Sequence, residues 1–93
     1  MRRYRILLSL TLAVAPNPVL TAGRVRYEVA ASGPVRLALY DLLGREIAVL
    51  ADGAVAAGAH EATLEAARLA PGVYVLRLAA GAETIRQRVT IGR

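Results

Sequence analysis

Apolar and polar residues alternate with a period of two along most of the chain, which is typical of β-strands that bury one face. The clearest case is Arg24 to Val29, where Val25, Tyr27 and Val29 share one face and charged residues occupy the other. Four later stretches repeat the pattern, and their predicted inward residues are Val35, Leu37 and Leu39; His60, Ala62 and Leu64; Tyr74, Leu76 and Leu78; and Ile85, Val89 and Ile91 with Gln87. Each stretch is predicted to be a strand.

Glycine or proline marks nearly every break between these stretches, with predicted turns at 31–34, 41–45, 70–72 and 80–81. Ile47 and Val49 lead a short strand that ends at Asp52-Gly53, and residues 54–59 are predicted to be a loop. About seven short strands at this spacing predict an all-β fold, namely an antiparallel immunoglobulin-like β-sandwich. A helix over residues 55–69 is the competing prediction, because its alanines favour helix.

The first fifteen residues have the outline of a secretory signal peptide. A basic head, Met1 to Arg5, precedes an apolar run from Ile6 to Ala15 that ends in small residues. Pro16 directly after this run disfavours cleavage there. The run is shorter than the roughly 20 apolar residues that cross a bilayer, so no integral membrane segment is predicted.

A second interpretation makes Leu10 to Ala15 the first strand of the fold, because Leu10, Leu12 and Val14 alternate with smaller or polar residues. The sequence leaves both interpretations open. We therefore divide the chain into residues 1–15, a signal-peptide-like or first-strand segment, and residues 16–93, the β-sandwich domain.

Composition supports one folded domain, since 93 residues are too few for two cores and 56% of them are hydrophobic. The absence of cysteine excludes a disulfide scaffold, a zinc–thiolate site and a thiol nucleophile. The net charge of +5 raises the question of a polyanion partner. Beyond residue 5, however, the arginines stand singly among apolar residues without interleaved aromatics, so no nucleic acid partner is predicted.

Residues that carry catalytic chemistry are scattered, so we predict that the protein is not an enzyme and needs no cofactor. His60 is the single histidine, whereas a metal site needs several converging ligands. Ser9 and Ser32 lack the surroundings of an activated nucleophile. Glu61 and Glu65 would lie about 13 Å apart along one strand, which is too far for paired-carboxylate hydrolysis.

Tyr74 follows a glycine-containing turn at the start of a late strand. In that position its hydroxyl can donate a hydrogen bond to a loop carbonyl and fix a corner of the sandwich. The alternative is a ring that only fills the core.

An ordered set of short motifs runs through the chain. In chain order they are PNP at 16–18, YD and GR within 40–45, AG.H at 57–60, LAPGVY at 69–74 and a basic strand at 84–91. Each motif is weak alone. In this order and spacing, from about Leu12 to the last residue, the chain resembles the type A C-terminal sorting domain of the type IX (Por) secretion system.

The resemblance implies an immunoglobulin-like sandwich that directs an attached cargo protein through the periplasm to the cell surface or the medium. The implied partners are the outer-membrane secretion machinery and its processing peptidase. The basic strand of the family is often rich in lysine, whereas here every basic residue is arginine. The implied sorting-motif residues are Pro16, Asn17, Pro18, Gly72, Tyr74, Arg86 and Arg88.

Two alternatives stay open at this point. The immunoglobulin-like domain of flagellar hook-capping proteins shares two of the motifs, but it usually carries a tryptophan-containing segment where this chain has residues 62–66. The second alternative is a structural or carbohydrate-binding immunoglobulin-like module of an extracellular protein. Sugar platforms use exposed aromatic rings, and two of the four tyrosines, Tyr27 and Tyr74, are predicted to be buried.

Overall fold

A computed structural model describes residues 10–92, which form seven β-strands and no helix. The predicted all-β fold of about seven strands is therefore confirmed, and the region 58–65 of the competing helix is a strand. The strands are β1 (Leu10–Ala15), β2 (Ala22–Val29), β3 (Gly33–Asp41), β4 (Glu46–Val55), β5 (Gly58–Glu65), β6 (Gly72–Ala80) and β7 (Glu83–Ile91).

The strands form two antiparallel sheets that enclose one apolar core. One sheet has the order β1-β2-β5 and the other the order β4-β3-β6-β7, so β7 lies at an edge. The core takes side chains from both sheets, and its most deeply buried members are Val19, Val25, Leu37, Leu39, Leu64, Leu76, Leu78, Val89 and Ile91. This arrangement is the layered packing that alternating strands require in order to remove their apolar faces from water.

The period-two pattern correctly predicts which residues of β2 point inward. Val25, Tyr27 and Val29 are buried and the residues between them are exposed. The first-strand segment also forms a strand, because β1 pairs with β2 from Leu10–Val29 to Ala15–Arg24. The remainder of the proposed signal peptide, residues 1–9, lies outside the described residues, and the division of the chain at residue 15 stays a prediction.

The predicted inward residues of β3, namely Val35, Leu37 and Leu39, are buried, but the pattern fails on β4 because the pairing of these two strands is irregular. The register between them shifts after Leu37 and again after Leu39, so Leu50 and Ile47 have no direct partner on β3. Each shift of one residue moves the following side chains to the other face of the sheet. Val49 is consequently 45% exposed, although it is an apolar residue of the strand.

Ala38 is the second exception, because it belongs to the outward set of β3 yet is buried. Its cross-strand neighbours are Val49 on β4 and Arg77 on β6. The small methyl group lies between two longer side chains, which cover it from solvent.

The predicted loop at residues 54–59 is wrong. β4 continues to Val55 and β5 begins at Gly58, so two residues connect them. Alanine and glycine have weak strand propensity, but here they pair with β3 and β2, and pairing outweighs intrinsic preference.

The turn between β3 and β4 is organised by Asp41. Its Oδ1 accepts hydrogen bonds from the backbone N–H groups of Leu43 and Arg45, each at 2.9 Å, and its Oδ2 accepts from Arg45 Nε at 2.7 Å. Gly44 supplies the positive φ of 86° that the turn needs. The backbone N–H of Arg45 is foremost among the donors that lower the pKa of Asp41, because each stabilises the carboxylate.

We expect the substitution Asp41→Asn to lower the melting temperature at pH 7, and the difference from the unchanged protein to shrink in acid. A folded-state pKa below the ordinary value of 3.8 contributes stability above that pH, and the contribution is lost as the pH falls through the folded value. Thermal unfolding followed by circular dichroism between about pH 7 and pH 2 measures this.

Asp52→Asn is the matched control, because Asp52 forms a longer, exposed ion pair with Arg36 at 3.5 Å. Exposed pairs of this kind contribute little, so the control should melt close to the unchanged protein throughout the pH range. A difference for Asp41→Asn that is equally large at both ends of the range would contradict the role assigned to the carboxylate.

Candidate functional site

Most of the sequence motifs gather at one end of the molecule, which we call the motif end and define as residues 16–19, 41–45, 70–74 and 89–92. The beginning of β6 and the end of β7 lie side by side there, since Gly72 pairs with Ile91 and Tyr74 with Val89. Asp41 pairs with Tyr74 from the other side, which brings the β3–β4 turn to the same end. The AG.H motif is the exception, because Gly58 pairs with Val29 at the opposite end.

The two prolines at the motif end take the chain from one sheet to the other. Proline has no backbone N–H, so Pro16 and Pro18 cannot continue the hydrogen-bond ladder of β1. β1 ends at Ala15, and four residues later Val19 forms a parallel bridge with Ile91 of β7. The peptide bonds before both prolines are cis.

Asn17 and Val19 bond to the free edge of β7. The Asn17 Oδ1 accepts a hydrogen bond from the Thr90 N–H at 3.0 Å. The Val19 N–H donates to the Thr90 carbonyl, and the Gly92 N–H donates to the Val19 carbonyl, each at 2.8 Å. Val19 is also fully buried. The last residues of β7 are therefore held by β6 on one side and by residues 17–19 on the other.

Gly72 and Tyr74 form the neighbouring corner. Gly72 has a φ of 152°, and a Cβ atom added there would meet nothing within 4 Å, so the need for glycine is conformational rather than steric. The Tyr74 hydroxyl donates to the Ala70 carbonyl at 2.6 Å, as the sequence predicts. Its ring is buried as well, so Tyr74 both fills the core and fixes the corner.

Arg86 and Arg88 lie away from the corner, on the outer face of the four-stranded sheet. Arg86 is directly opposite Arg77 on β6, and Arg88 is opposite Val75. We call the side chains of Arg77, Arg86 and Arg88 the cationic surface. Of the predicted site residues, the structure thus brings Pro16, Asn17, Pro18, Gly72 and Tyr74 together at the motif end, and it places the two arginines on the sheet face that leads away from it.

The cationic surface differs in its electrostatic surroundings from the arginines of the other strands and of the β3–β4 turn, which lie in ion pairs. Arg68, in the loop before β6, is exposed and also has no ion pair among the described residues. Arg24 and Arg26 lie within 4 Å of Glu61, and Arg45 contacts Asp41. Ion pairs also join Arg36 to Glu46 and Asp52. Within residues 10–92, none of the three arginines of the cationic surface lies within ion-pair distance of an acidic residue. Positive charge is therefore uncompensated on this part of the sheet.

No sequence motif singles out Arg77 as a candidate site residue, but the side chains around it in the structure do. Its guanidinium carbon lies 5.6 Å from the centroid of the Tyr40 ring, and Nη1 approaches the Tyr40 hydroxyl at 3.5 Å. That hydroxyl faces Glu46 at 3.4 Å. Arg36 donates a bidentate pair of hydrogen bonds to the same carboxylate, and this interaction lowers the pKa of Glu46. The alternation of the sequence predicts that Arg77 points outward. That it lies beside Arg86 and Tyr40 becomes clear only once the register of β3, β6 and β7 is known.

The other residues that the sequence offers as candidates for catalysis or metal binding are His60 and the acidic side chains, and in the structure they do not form a site. His60 Nε2 lies 2.7 Å from the Ala56 carbonyl, and its ring stacks on Tyr27 at 5.4 Å between centroids. Among the described residues there is no group of three or more His, Cys, Asp or Glu placed to hold a metal ion. The same part of the chain contains no helix with the length and apolar character needed to cross a membrane.

Comparison with known proteins identifies one family. The model of the secretion system C-terminal sorting domain matches residues 13–92. A search of curated proteins finds no match. The matched region covers β2 to β7 and the second half of β1, and it includes the whole motif end.

Replacing Tyr74 with Phe should lower the free energy of unfolding by about 1 kcal/mol, because it removes the bond to Ala70 and leaves the ring in place. Urea denaturation measures the change. Tyr27→Phe is the control, since that buried ring also loses a hydroxyl, but one that forms no hydrogen bond with another described residue. We expect the control to lose less than about 0.5 kcal/mol, the lower end of what one hydrogen bond contributes, because no hydrogen bond is broken. Equal losses in the two variants would rule out a special role for the Tyr74 hydroxyl.

Replacing Asn17 with Ala should speed hydrogen exchange at the Thr90 amide by roughly fivefold, because the amide loses its side-chain acceptor. Nuclear magnetic resonance reads this amide directly, with the Leu76 amide of β6 as an internal reference. Asn17→Asp keeps an oxygen acceptor at the same position and should preserve the protection. Unchanged exchange in Asn17→Ala would show that this bond does not hold the end of β7.

Proposed function

The chain belongs to the family of secretion system C-terminal sorting domains, and on this premise we propose that it directs an attached cargo protein through the type IX secretion system. On this proposal the cargo passes through the periplasm and reaches the cell surface or the medium. The observation that carries the proposal is the family match over residues 13–92, which includes every strand except the first three residues of β1.

The proposed partners are the outer-membrane secretion machinery and its processing peptidase. A sorting domain acts by being bound rather than by catalysing a reaction. We therefore propose that the domain contributes surface and shape, and that the chemistry of processing belongs to the peptidase.

The cationic surface is the part of the domain that we assign to recognition. Arg86 and Arg88 are exposed, and no acidic residue of the described chain lies within ion-pair distance of either. Uncompensated arginines attract acidic partners over several ångströms, and each guanidinium can hold a carboxylate through two hydrogen bonds. The motif end complements this surface by fixing the end of β7, the strand that carries both arginines.

Strand addition to the end of β7 is less favoured than recognition through side chains. An edge strand can normally pair with a strand from a partner. Here the edge at Thr90 and Gly92 already bonds to Asn17 and Val19. A partner strand would have to displace this segment and uncover the fully buried Val19.

The unit that we propose to be sufficient for sorting begins at Leu10 rather than at Pro16. β1 pairs with β2 along its whole length, and its removal would expose an edge of the three-stranded sheet. Leu10 is also buried in the core. The segment 10–15 therefore belongs with the sandwich in any transferable sorting unit.

The carbohydrate-binding alternative gains no specific support. Tyr27 and Tyr74 are buried, and Tyr40 is engaged by Arg77 and Glu46. Tyr4 lies outside the described residues.

A transfer experiment tests the proposal. Residues 10–93 are fused to the C-terminus of a reporter enzyme carrying a periplasmic export signal. The fusion is expressed in a host with a functional type IX system and in the same host lacking that system's outer-membrane component. We expect the reporter at the surface or in the medium of the first host and in the periplasm of the second. Equal release of the reporter from both hosts would contradict the proposal.

Paired charge variants test the recognition surface in the same assay. Arg86→Gln with Arg88→Gln should reduce surface delivery by about fivefold or more, because the uncompensated charges are lost. Arg24→Gln with Arg26→Gln removes the same formal charge from the other sheet, where Glu61 lies within 4 Å of both arginines, and should change delivery less than about twofold. Circular dichroism confirms that both variants fold. Similar losses in both pairs would show that net charge, rather than this surface, is recognised.

A further inference from the structure

A groove crosses the outer face of the four-stranded sheet next to the β3–β4 turn. It has a volume of about 290 Å³, and Tyr40, Val75, Arg77 and Arg86 line it along the strands, with Asp41 and Leu42 at the turn. Leu42 is 68% exposed, so its apolar side chain is open to contact with a ligand in the groove. The groove thus combines an apolar wall with two guanidinium groups.

Arg77 and Arg86 are a directly opposed pair of like charges. They are cross-strand partners in the β6–β7 ladder, and side chains at such positions have Cβ atoms about 5 Å apart. Like charges at this spacing repel each other. No acidic residue of the described chain lies within ion-pair distance of either one. An anion bound between them would relieve the repulsion.

Arg77 is oriented for such a contact before any ligand binds. Its guanidinium lies over the Tyr40 ring, at 5.6 Å from the centroid. The Tyr40 hydroxyl lies within hydrogen-bond distance of Glu46, and the Glu46 carboxylate accepts two hydrogen bonds from Arg36, at 2.5 and 3.1 Å. A side chain whose rotamer is already restricted loses less conformational entropy on binding. The cation–π contact also leaves the outer edge of the guanidinium free to donate.

The carboxylate of Asp41 lines the groove but does not neutralise it. Its two oxygens accept three hydrogen bonds within the turn, including the short one from Arg45 Nε at 2.7 Å. Only 15% of its side chain is exposed. Arg45 compensates its charge locally, so the excess charge of the groove remains positive.

We propose that this groove binds an acidic segment of a partner protein, with a carboxylate held between Arg77 and Arg86 and an adjacent apolar side chain packed against Val75 and Leu42. The occupant is a peptide because it must supply two different groups: an anion that binds the guanidinium pair, and an apolar group that packs against the exposed leucine beside it. Alternating acidic and apolar residues present both within a short stretch. The inference rests on the proposed function in one respect: the partner that carries the segment belongs to the secretion machinery.

Fluorescence anisotropy with the full chain tests the groove without any secretion assay. The probe is a fluorescein-labelled hexapeptide of alternating glutamate and leucine, and its matched control has glutamine in place of every glutamate. We expect the acidic peptide to bind at least tenfold more tightly than the control. Arg77→Gln and Arg86→Gln should each weaken its binding by about tenfold, as expected for the loss of one charge-assisted contact.

Arg68→Gln is the decisive control for position. Arg68 is exposed and has no ion pair among the described residues, but it lies outside both the groove and the cationic surface. Its replacement should change the affinity by less than about twofold, since it contributes only to the diffuse field. Equal weakening by Arg86→Gln and Arg68→Gln would overturn the proposal, because the peptide would then respond to general positive charge.

Two further measurements separate the possible ligands and functions. If inorganic phosphate or phosphatidylglycerol vesicles bind with the same dependence on Arg77 and displace the peptide at lower concentration, the peptide assignment is wrong. In the reporter assay, Arg77→Gln is expected to reduce surface delivery. If peptide affinity falls tenfold while delivery is unchanged, the groove is confirmed as a peptide site and its assignment to the secretion machinery fails. Lack of type IX export with intact peptide binding would instead reject the proposed function alone.

Discussion

The hydrogen bonds between residues 17–19 and the end of β7 are the constraint on which the motif end depends. β1 belongs to the three-stranded sheet, whereas Val19, only four residues after Ala15, bonds to the edge of the other sheet. The two prolines favour the end of β1 at this point, because neither has a backbone N–H to donate to its ladder. Side-chain packing holds the two layers face to face, and this backbone connection fixes their relative position at one end. The corner at Gly72 and Tyr74 lies immediately beside it.

Much of the fold could be predicted because a half-buried strand has a period of two that no other element shares. β2, β5, β6 and β7 follow this rule, and their inward residues are the predicted ones. The rule fails where two strands do not match residue for residue. The irregular register of β3 and β4 exposes Val49, and the long neighbours of Ala38 bury it. Irregular pairing is a property of two strands together, so neither segment reveals it alone.

The candidate site was predictable only in part, for a related reason. The resemblance identifies the prolines, the glycine–tyrosine pair and the two arginines, but it does not show which of them meet. Asn17 and Thr90 are 73 residues apart in sequence, and nothing local to either residue indicates the contact. Arg77 and Tyr40 likewise gain their meaning only when β3, β6 and β7 are aligned. Ion pairing then distinguishes Arg24 and Arg26, which lie close to Glu61, from Arg86 and Arg88, which have no acidic residue within ion-pair distance in the described chain.

The parallel bridge between Val19 and Ile91 has a mechanical consequence. A force that pulls the two ends of the chain apart acts parallel to the segments 17–19 and 90–92, because the two segments run in the same direction. The hydrogen bonds between them are then loaded together and must break together. Antiparallel strands pulled apart from a shared end instead lose their hydrogen bonds one after another. The contact between residues 17–19 and the end of β7 is therefore the part of the motif end that resists such a force most strongly.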